Sequence, residues 1–316
     1  MLNIINQAPY RLGGAVTYVA HLARVLGENA RVIRIGARTE RNPRQGALDF
    51  KYQIFSLEDA MDLDGPLLLA SGDPHMPIET VYTLLKRPDF WRVFHDPNEF
   101  KLYPHWPEAG CAERVIGIRE TGLLAMPKAT LIPHPYASDL DASSLLPAHE
   151  RPKHAVSTAR TSSIKNSELV LEANVALEPN RRVELLGEVE RWFRLKHPEL
   201  GKGRGYPVTF NGGHAFLRDA YHLVDLTVFK DDGGGTQYTF LEAMDCGCRI
   251  IAHSKWLSYP GIMRSLAVGV SSAEELAAVL ARDPEPYDPT PAWEYLQANH
   301  NSAKIAQQYM ELTHDV

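Results

Sequence analysis

The chain has 316 residues, about two domains at a prior of roughly 150 residues each. Its composition is 44% apolar and 23% charged, with 22 Gly and 22 Pro, which excludes a wholly disordered or fibrous chain. Thirty-three basic residues against 39 acidic ones leave a net charge of −6, so the molecule does not coat nucleic acid over its whole surface. Three cysteines (Cys111, Cys246, Cys248) are too few for a disulfide scaffold, and Cys246-x-Cys248 without a fourth thiol makes a poor zinc site. A reducing, cytoplasmic setting is expected. The first residues carry no basic stretch followed by an apolar run, so no secretory signal is expected. No run of about 18 apolar residues predicts a membrane span.

Short β-type runs alternate with longer helical patterns, the signature of parallel strands joined by crossover helices. The first half predicts strands at 2–6, 31–35, 53–57, 66–70, 91–95, 114–118 and 130–132, with a helix over 15–26. Cap and turn residues interrupt the pattern over Ser138–Lys153. The second half predicts strands at 154–157, 182–186, 208–210, 226–229, 249–252 and 266–270, with helices over 166–177 and 239–245. From Ala303 on, Ile305, Tyr309 and Leu312 fall at i, i+4 and i+7 behind an Asn301-Ser302 cap, predicting an amphipathic helix. The expected division is a domain over 1–145, a second over 146–300, and a final helix over 301–316 that packs back on the first domain. Two such sheets bind ligands where their strands end.

Two loops carry chemistry. Asp231-Asp-Gly-Gly-Gly-Thr-Gln-Tyr-Thr-Phe-Leu-Glu242 follows a predicted strand and opens a helix. Its glycines let the backbone approach a ligand, and the helix start suits a diphosphate. Glu242 then lies where it can accept hydrogen bonds from ribose hydroxyls. The same residues also suit a plain turn before a helix that Gly247 ends. Ser157-Thr-Ala-Arg160-Thr-Ser-Ser-Ile-Lys165 also runs from strand to helix. Its two cations suit neutralisation of phosphate charge, or simply a solvated loop.

Taken together, these loops resemble the retaining GT-B glycosyltransferases of the large nucleotide-sugar family (glycosyltransferase group 1, family 4-like). Arg160 and Lys165 match the family's basic pair at its spacing; Glu242, Ala243, Met244, Cys246 and Gly247 match the end of its Glu-x7-Glu motif. The resemblance implies an α/β fold of two Rossmann-like, doubly wound parallel sheets facing a central cleft. It implies a UDP-glucose-like donor, no metal and no other cofactor. It places Gly213 near the nucleotide base, the Gly13-Gly14 turn beside the diphosphate, and His95 at the donor sugar or in support of the leaving group, as a catalytic residue with Arg160 and Lys165. Asp232, Gly235, Thr236, Gln237 and Tyr238 join the donor site. Two departures stand out: Gly234 replaces the first acidic residue of the motif, which Asp231 or Asp232 would have to supply, and Asn166 replaces a glycine.

The acceptor is less marked. Ser71-Gly72-Asp73-Pro74-His75 offers Asp73 at a strand end. Arg31, Arg34, Arg38, Arg41 and Arg44 fall within fourteen residues, opposed only by Glu40. Such a run suits a solvated face; otherwise Arg38 and Arg41 suit an anionic acceptor, whether lipid-linked glycan or DNA carrying a modifiable base. A sugar-nucleotide epimerase and a non-catalytic nucleotide-sugar binder share the architecture.

Overall fold

A computed structural model describes residues 1–8, 13–36, 53–71, 76–95, 114–126, 128–201, 210–228, 235–259, 261 and 263–314. Asp73, Asp232, Gly234, Arg38, Arg41, Arg44 and Cys111 lie outside the described residues. The chain divides into two units: Met1–Ala137 with Val208–Phe210 and Asn299–Val316, and Ser138–Pro207 with Asn211–Ala298.

In the first unit the elements run β1 Leu2–Asn6, α1 Gly14–Leu26, β2 Ala30–Ile35, β3 Gln53–Phe55, α2 Leu57–Met61, β4 Leu67–Ser71, α3 Ile78–Leu84, β5 Phe90–Phe94, β6 Val115–Gly117, α4 Glu120–Ala125 and β7 Thr130–Leu131. The strands form one parallel sheet in the order β3-β2-β1-β4-β5-β6-β7. All five residues of β1 are buried, as a central strand covered on both faces requires. Ile5, Ile33, Leu67, Leu69, Leu84 and Phe90 form one core cluster of this unit.

The second unit continues with β8 Lys153–Ser157, α5 Ser167–Ala176, β9 Val183–Leu185, α6 Arg191–Lys196, α7 His214–Leu217, β10 Ala220–Asp225, α8 Tyr238–Asp245, β11 Arg249–His253, α9 Ser254–Leu257, α10 Met263–Leu266, β12 Ala267–Val270, α11 Ala273–Leu280 and α12 Thr290–His300. Its parallel sheet has the order β12-β11-β10-β8-β9, the 2-1-3-4-5 winding in which the ligand site falls between the first and third strands. Here those strands are β8 and β10, paired through Ala155↔His222 and Val156↔Leu223.

The last helix, α13 Ser302–His314, belongs to the first unit. Asn301 Oδ1 caps it by accepting from the N–H groups of Ala303 (3.0 Å) and Lys304 (3.2 Å). Ile305 and Tyr309 face inward, and the Tyr309 hydroxyl is hydrogen-bonded to that of Tyr18 on α1.

One expectation is corrected. The strand expected at 226–229 lies earlier, at Ala220–Asp225, and Leu226–Val228 is irregular. The Asp225 carboxylate accepts from the N–H and hydroxyl of Thr227, a local turn that competes with the ladder and ends the strand. The strand expected at 208–210 lies largely outside the described residues, and the second sheet has five described strands.

Candidate functional site

The loop after β8 is built on close backbone contact. Thr161 N–H donates to Glu188 O (2.9 Å), Glu190 N–H to Thr161 O (3.0 Å) and Leu186 N–H to Ser157 O (2.9 Å). Gly187 makes this possible: a Cβ there would stand 1.9 Å from Ala159 O. The loop therefore leaves the sheet along a fixed path, with Arg160 exposed and Lys165 half-buried. Asn166 sits in the left-handed region (φ 49°), where glycine is favoured and asparagine is the best-tolerated substitute. That explains the departure from glycine at this position. Its Nδ2 donates to Leu226 O (2.8 Å), tying the β8 loop to the end of β10.

The glycine-rich loop is fixed at both margins. Asp225 Oδ2 accepts from Thr239 Oγ1 (2.7 Å) while its other oxygen holds Thr227, so one buried carboxylate spans the loop's two ends. Trp256 Nε1 donates to Gly235 O (2.9 Å), and the indole packs edge-on against Phe240. Helix α8 starts at Tyr238, with Gln237 as its cap residue. Thr236, Gln237 and Tyr238 are all buried. Gly247, at φ 65°, ends the helix two residues after Asp245, the left-handed stop that glycine supplies.

Glu242 is 5% exposed. Burial first, then the Asp245 carboxylate, push its pKa up to about 8, so in the unliganded chain it is held largely protonated at neutral pH. Cys246 and Cys248 are buried, and burial pushes both thiols up, Cys248 to about 12. They pack, with Arg151 Nη2 donating to Cys246 O (2.7 Å) and Nη1 to Cys248 Sγ (3.4 Å). Gly213 caps α7 in ordinary right-handed geometry; the next residue, His214, pairs with Asp245 (3.3 Å).

Four polar atoms on these loops are sealed from water with no hydrogen-bond partner among the described residues: Thr158 Oγ1, Thr161 Oγ1, Ser162 Oγ and Gln237 Nε2. Buried polar groups are ordinarily paired.

In the first unit, Gly13 has φ 146°, a conformation L side chains rarely adopt, and its carbonyl accepts from Thr17 N–H (2.9 Å) at the start of α1. Gly14 is the first residue of that helix. His95 follows β5, and its Nε2 donates to Ala70 O (2.7 Å). Tyr18 meets the imidazole edge-on at 5.0 Å, and Arg119 Nη1 donates to His95 O (3.2 Å). His134 is buried and held neutral, its pKa lowered by burial and then by Arg119; its carbonyl accepts from His300 Nδ1 (2.8 Å).

Two arginines of the basic run, Arg31 and Arg34, are among the described residues. Arg34 is buried, with Nη2 donating to Ala8 O (2.6 Å). Arg31 Nε donates to Asn3 Oδ1 (2.5 Å), and its guanidinium lies over Phe55. These two arginines hold strands together.

Asp225, Trp256 and Gly187 escaped the sequence reading. Asp225 had a signal, an Asp-x-Thr at a strand end; the contacts of Trp256 and Gly187 are with residues distant in sequence.

No family model matches the chain, and no curated protein sequence does. Solved structures do. HepE of Anabaena in complex with UDP superposes with a TM-score of 0.68 at 13% identity, covering 100% of both chains. An alpha-glucosyltransferase in complex with UDP and a 13-mer DNA containing a HMU base gives 0.68 at 13%, over 99% of each chain. AviGT4, a glycosyltransferase involved in avilamycin A biosynthesis, gives 0.57 at 15%, over 99% of this chain and 96% of that one. With two parallel-sheet α/β units of seven and five described strands, the chain has the GT-B fold of these glycosyltransferases.

Proposed function

We propose that the protein is a retaining glycosyltransferase that moves a hexose from a UDP-glucose-like donor to an acceptor hydroxyl. One observation carries this reading. The Arg160–Lys165 loop and the Gly235–Tyr238 loop, some seventy residues apart, leave neighbouring strands at the winding point of the second sheet, where such folds bind ligands. Arg160, Lys165 and the first amides of α8 would stabilise negative charge on the departing diphosphate, because fixed donors need no reorganisation as charge develops. They supply the positive charge that a divalent cation otherwise provides. Glu242 would hold the ribose, Gly213 would lie near the base, and the Gly13-Gly14 turn would lie beside the diphosphate. His95 would contact the donor sugar or support the leaving group.

In this scheme the acceptor oxygen bonds to the anomeric carbon on the face from which UDP departs, and its proton passes to the leaving phosphate oxygen. No protein nucleophile is required, so the paired carboxylates of glycosidases are not expected. Asp73, Arg38 and Arg41 remain the candidate acceptor contacts. The acceptor is a carbohydrate or lipid-linked glycan; the DNA-bound neighbour supports DNA carrying a modified base as a second reading.

A screen of nucleotide sugars for thermal stabilisation tests the proposal, since a ligand bound only by the folded chain raises the melting point. UDP-glucose or a relative is expected to stabilise; no shift with any of them rejects the donor site. DNA as acceptor predicts binding that weakens steeply with salt, and less steeply once Arg38 and Arg41 are neutralised. Donor conversion without acceptor would indicate an epimerase, and UDP binding without any product a non-catalytic binder.

A further inference from the structure

Helix α6 carries a face that the donor reading does not use. Its six residues run Arg-Trp-Phe-Arg-Leu-Lys. Phe193 anchors it, 3% exposed and packed against His197 with ring centroids 4.6 Å apart. At about 100° per residue, Arg191, Leu195, Trp192 and Lys196 follow one another around the side turned from Phe193. All four are exposed, Trp192 at 72% and Leu195 at 66%. Single exposed apolar residues are ordinary, but these two adjoin at i and i+3 and have a cation on each flank. The Arg191 guanidinium also lies over the Trp192 ring (5.9 Å) and has no acidic partner among the described residues. Acids are near: Glu168 accepts from Ser163 (2.7 Å) and pairs with Lys196 (3.4 Å), Glu199 pairs with His197 (3.3 Å), and Glu190 is the cap residue. Lys196 nonetheless keeps 64% of its side chain exposed.

An apolar centre with cations at its rim suits a lipid headgroup layer, where indole and aliphatic groups enter the interface and the charges meet anionic headgroups. Duplex DNA would engage the cations but leave Leu195 in water. A stable protein partner needs roughly 800 Å² on this side, far more than one short helix face presents. We infer that α6 docks on an anionic membrane surface, with Trp192 and Leu195 entering the headgroup layer and Arg191 and Lys196 meeting the lipid phosphates. One such face makes a weak, reversible contact. Glu190 N–H donates to Thr161 O (3.0 Å), and Thr161 bridges Val189, so a docked α6 would hold the Arg160 loop near the membrane. Docking of this kind goes beyond the donor reading, does not depend on it, and favours a membrane-borne acceptor.

Co-sedimentation of the intact chain with vesicles tests this. Mixed phosphatidylglycerol–phosphatidylcholine vesicles should bind it; pure phosphatidylcholine vesicles should bind it less, as should the mixed ones at high salt. Trp192→Ala and Leu195→Ala, made together, should weaken binding at least about tenfold, because the inserted area is lost. Arg191→Gln and Lys196→Gln should each cost about fivefold on the mixed vesicles. All four side chains are exposed, so the melting points should hold. Tyr82→Ser removes exposed apolar area from α3 of the first unit and should change nothing. Native-level binding in the double variant, equal loss in Tyr82→Ser, or a native chain that ignores both kinds of vesicle overturns the docking surface. So does binding of duplex DNA, or dimerisation with rising concentration, that the double variant abolishes while vesicle binding is absent. Thermal stabilisation by UDP-glucose is read separately, so the donor site stands where docking fails.

Discussion

The two units use the same parallel-sheet logic but finish their strands differently. In the first, described strand-end side chains turn onto neighbouring carbonyls: Gln7 Nε2 donates to Ile35 O (2.6 Å) and His95 Nε2 to Ala70 O (2.7 Å). In the second, side chains such as Asp225, Asn166 and Trp256 hold the loops in place, while Gln237 Nε2 and the hydroxyls of Thr158, Thr161 and Ser162 have no partner among the described residues. Unpartnered buried polar atoms are found among the described residues of both units, Trp91 Nε1 and Thr121 Oγ1 in the first included; what sets the second apart is the side chains that pin its strand-end loops. Such pinning is what the proposed binding loops require, because a loop that had to order itself would spend binding energy on ordering.

The comparison breaks most directly at the two cations. Arg160→Ala and Lys165→Ala should each lower kcat by at least about 100-fold, the effect of removing a fixed donor from developing charge; equal turnover in both variants, in transfer or donor hydrolysis, would remove the charge-stabilising role. Next comes rigidity. Gly187→Ala forces a Cβ against Ala159 O and should cost about 1–3 kcal/mol in urea unfolding, with weaker UDP binding as the Arg160 loop shifts; an unperturbed variant would mean that the close approach does not position that loop.

Glu242 sharpens the comparison through pH. Its folded pKa, raised from 4.5 to about 8, means the folded chain keeps a proton that the unfolded chain releases. This contribution to stability is complete below about pH 4.5 and is lost as pH rises to about 8. Glu242→Gln should flatten that fall in the melting point of the unliganded chain and weaken UDP binding; an unaltered pH profile would rule out a buried neutral acid. The smallest effect is expected at Asn166. Asn166→Ala should cost about 1–2 kcal/mol through left-handed strain and loss of the bond to Leu226, whereas Asn166→Gly should lose only the bond. If the two variants are equally stable, backbone conformation is not what selects asparagine there.

Much of the candidate site was legible because its signals are local. A glycine turn before a helix, a basic pair between strand and helix, and a carboxylate along α8 are each read within a dozen residues. Asn166 looked like a mismatch and is explained by its φ angle. The strand ending at Asp225 was misplaced because Leu226-Thr-Val-Phe reads as more strand-like than Ala220-Tyr-His-Leu-Val, and the Asp225–Thr227 turn outweighs that preference. The arginine run read as a surface feature because charge counts do not show that Arg34 reaches Ala8 O inside the unit.

The sequence by itself determined the alternation of strands and helices, the capped final helix and the identity of the charged groups, since these rest on periodicity and short-range chemistry. Tertiary structure decided the strand order, and with it the adjacency of β8 and β10 that brings two distant loops together. It also decided which polar groups were left without partners. Satisfaction of a buried donor depends on every group packed around it, and no stretch of chain specifies its own neighbours.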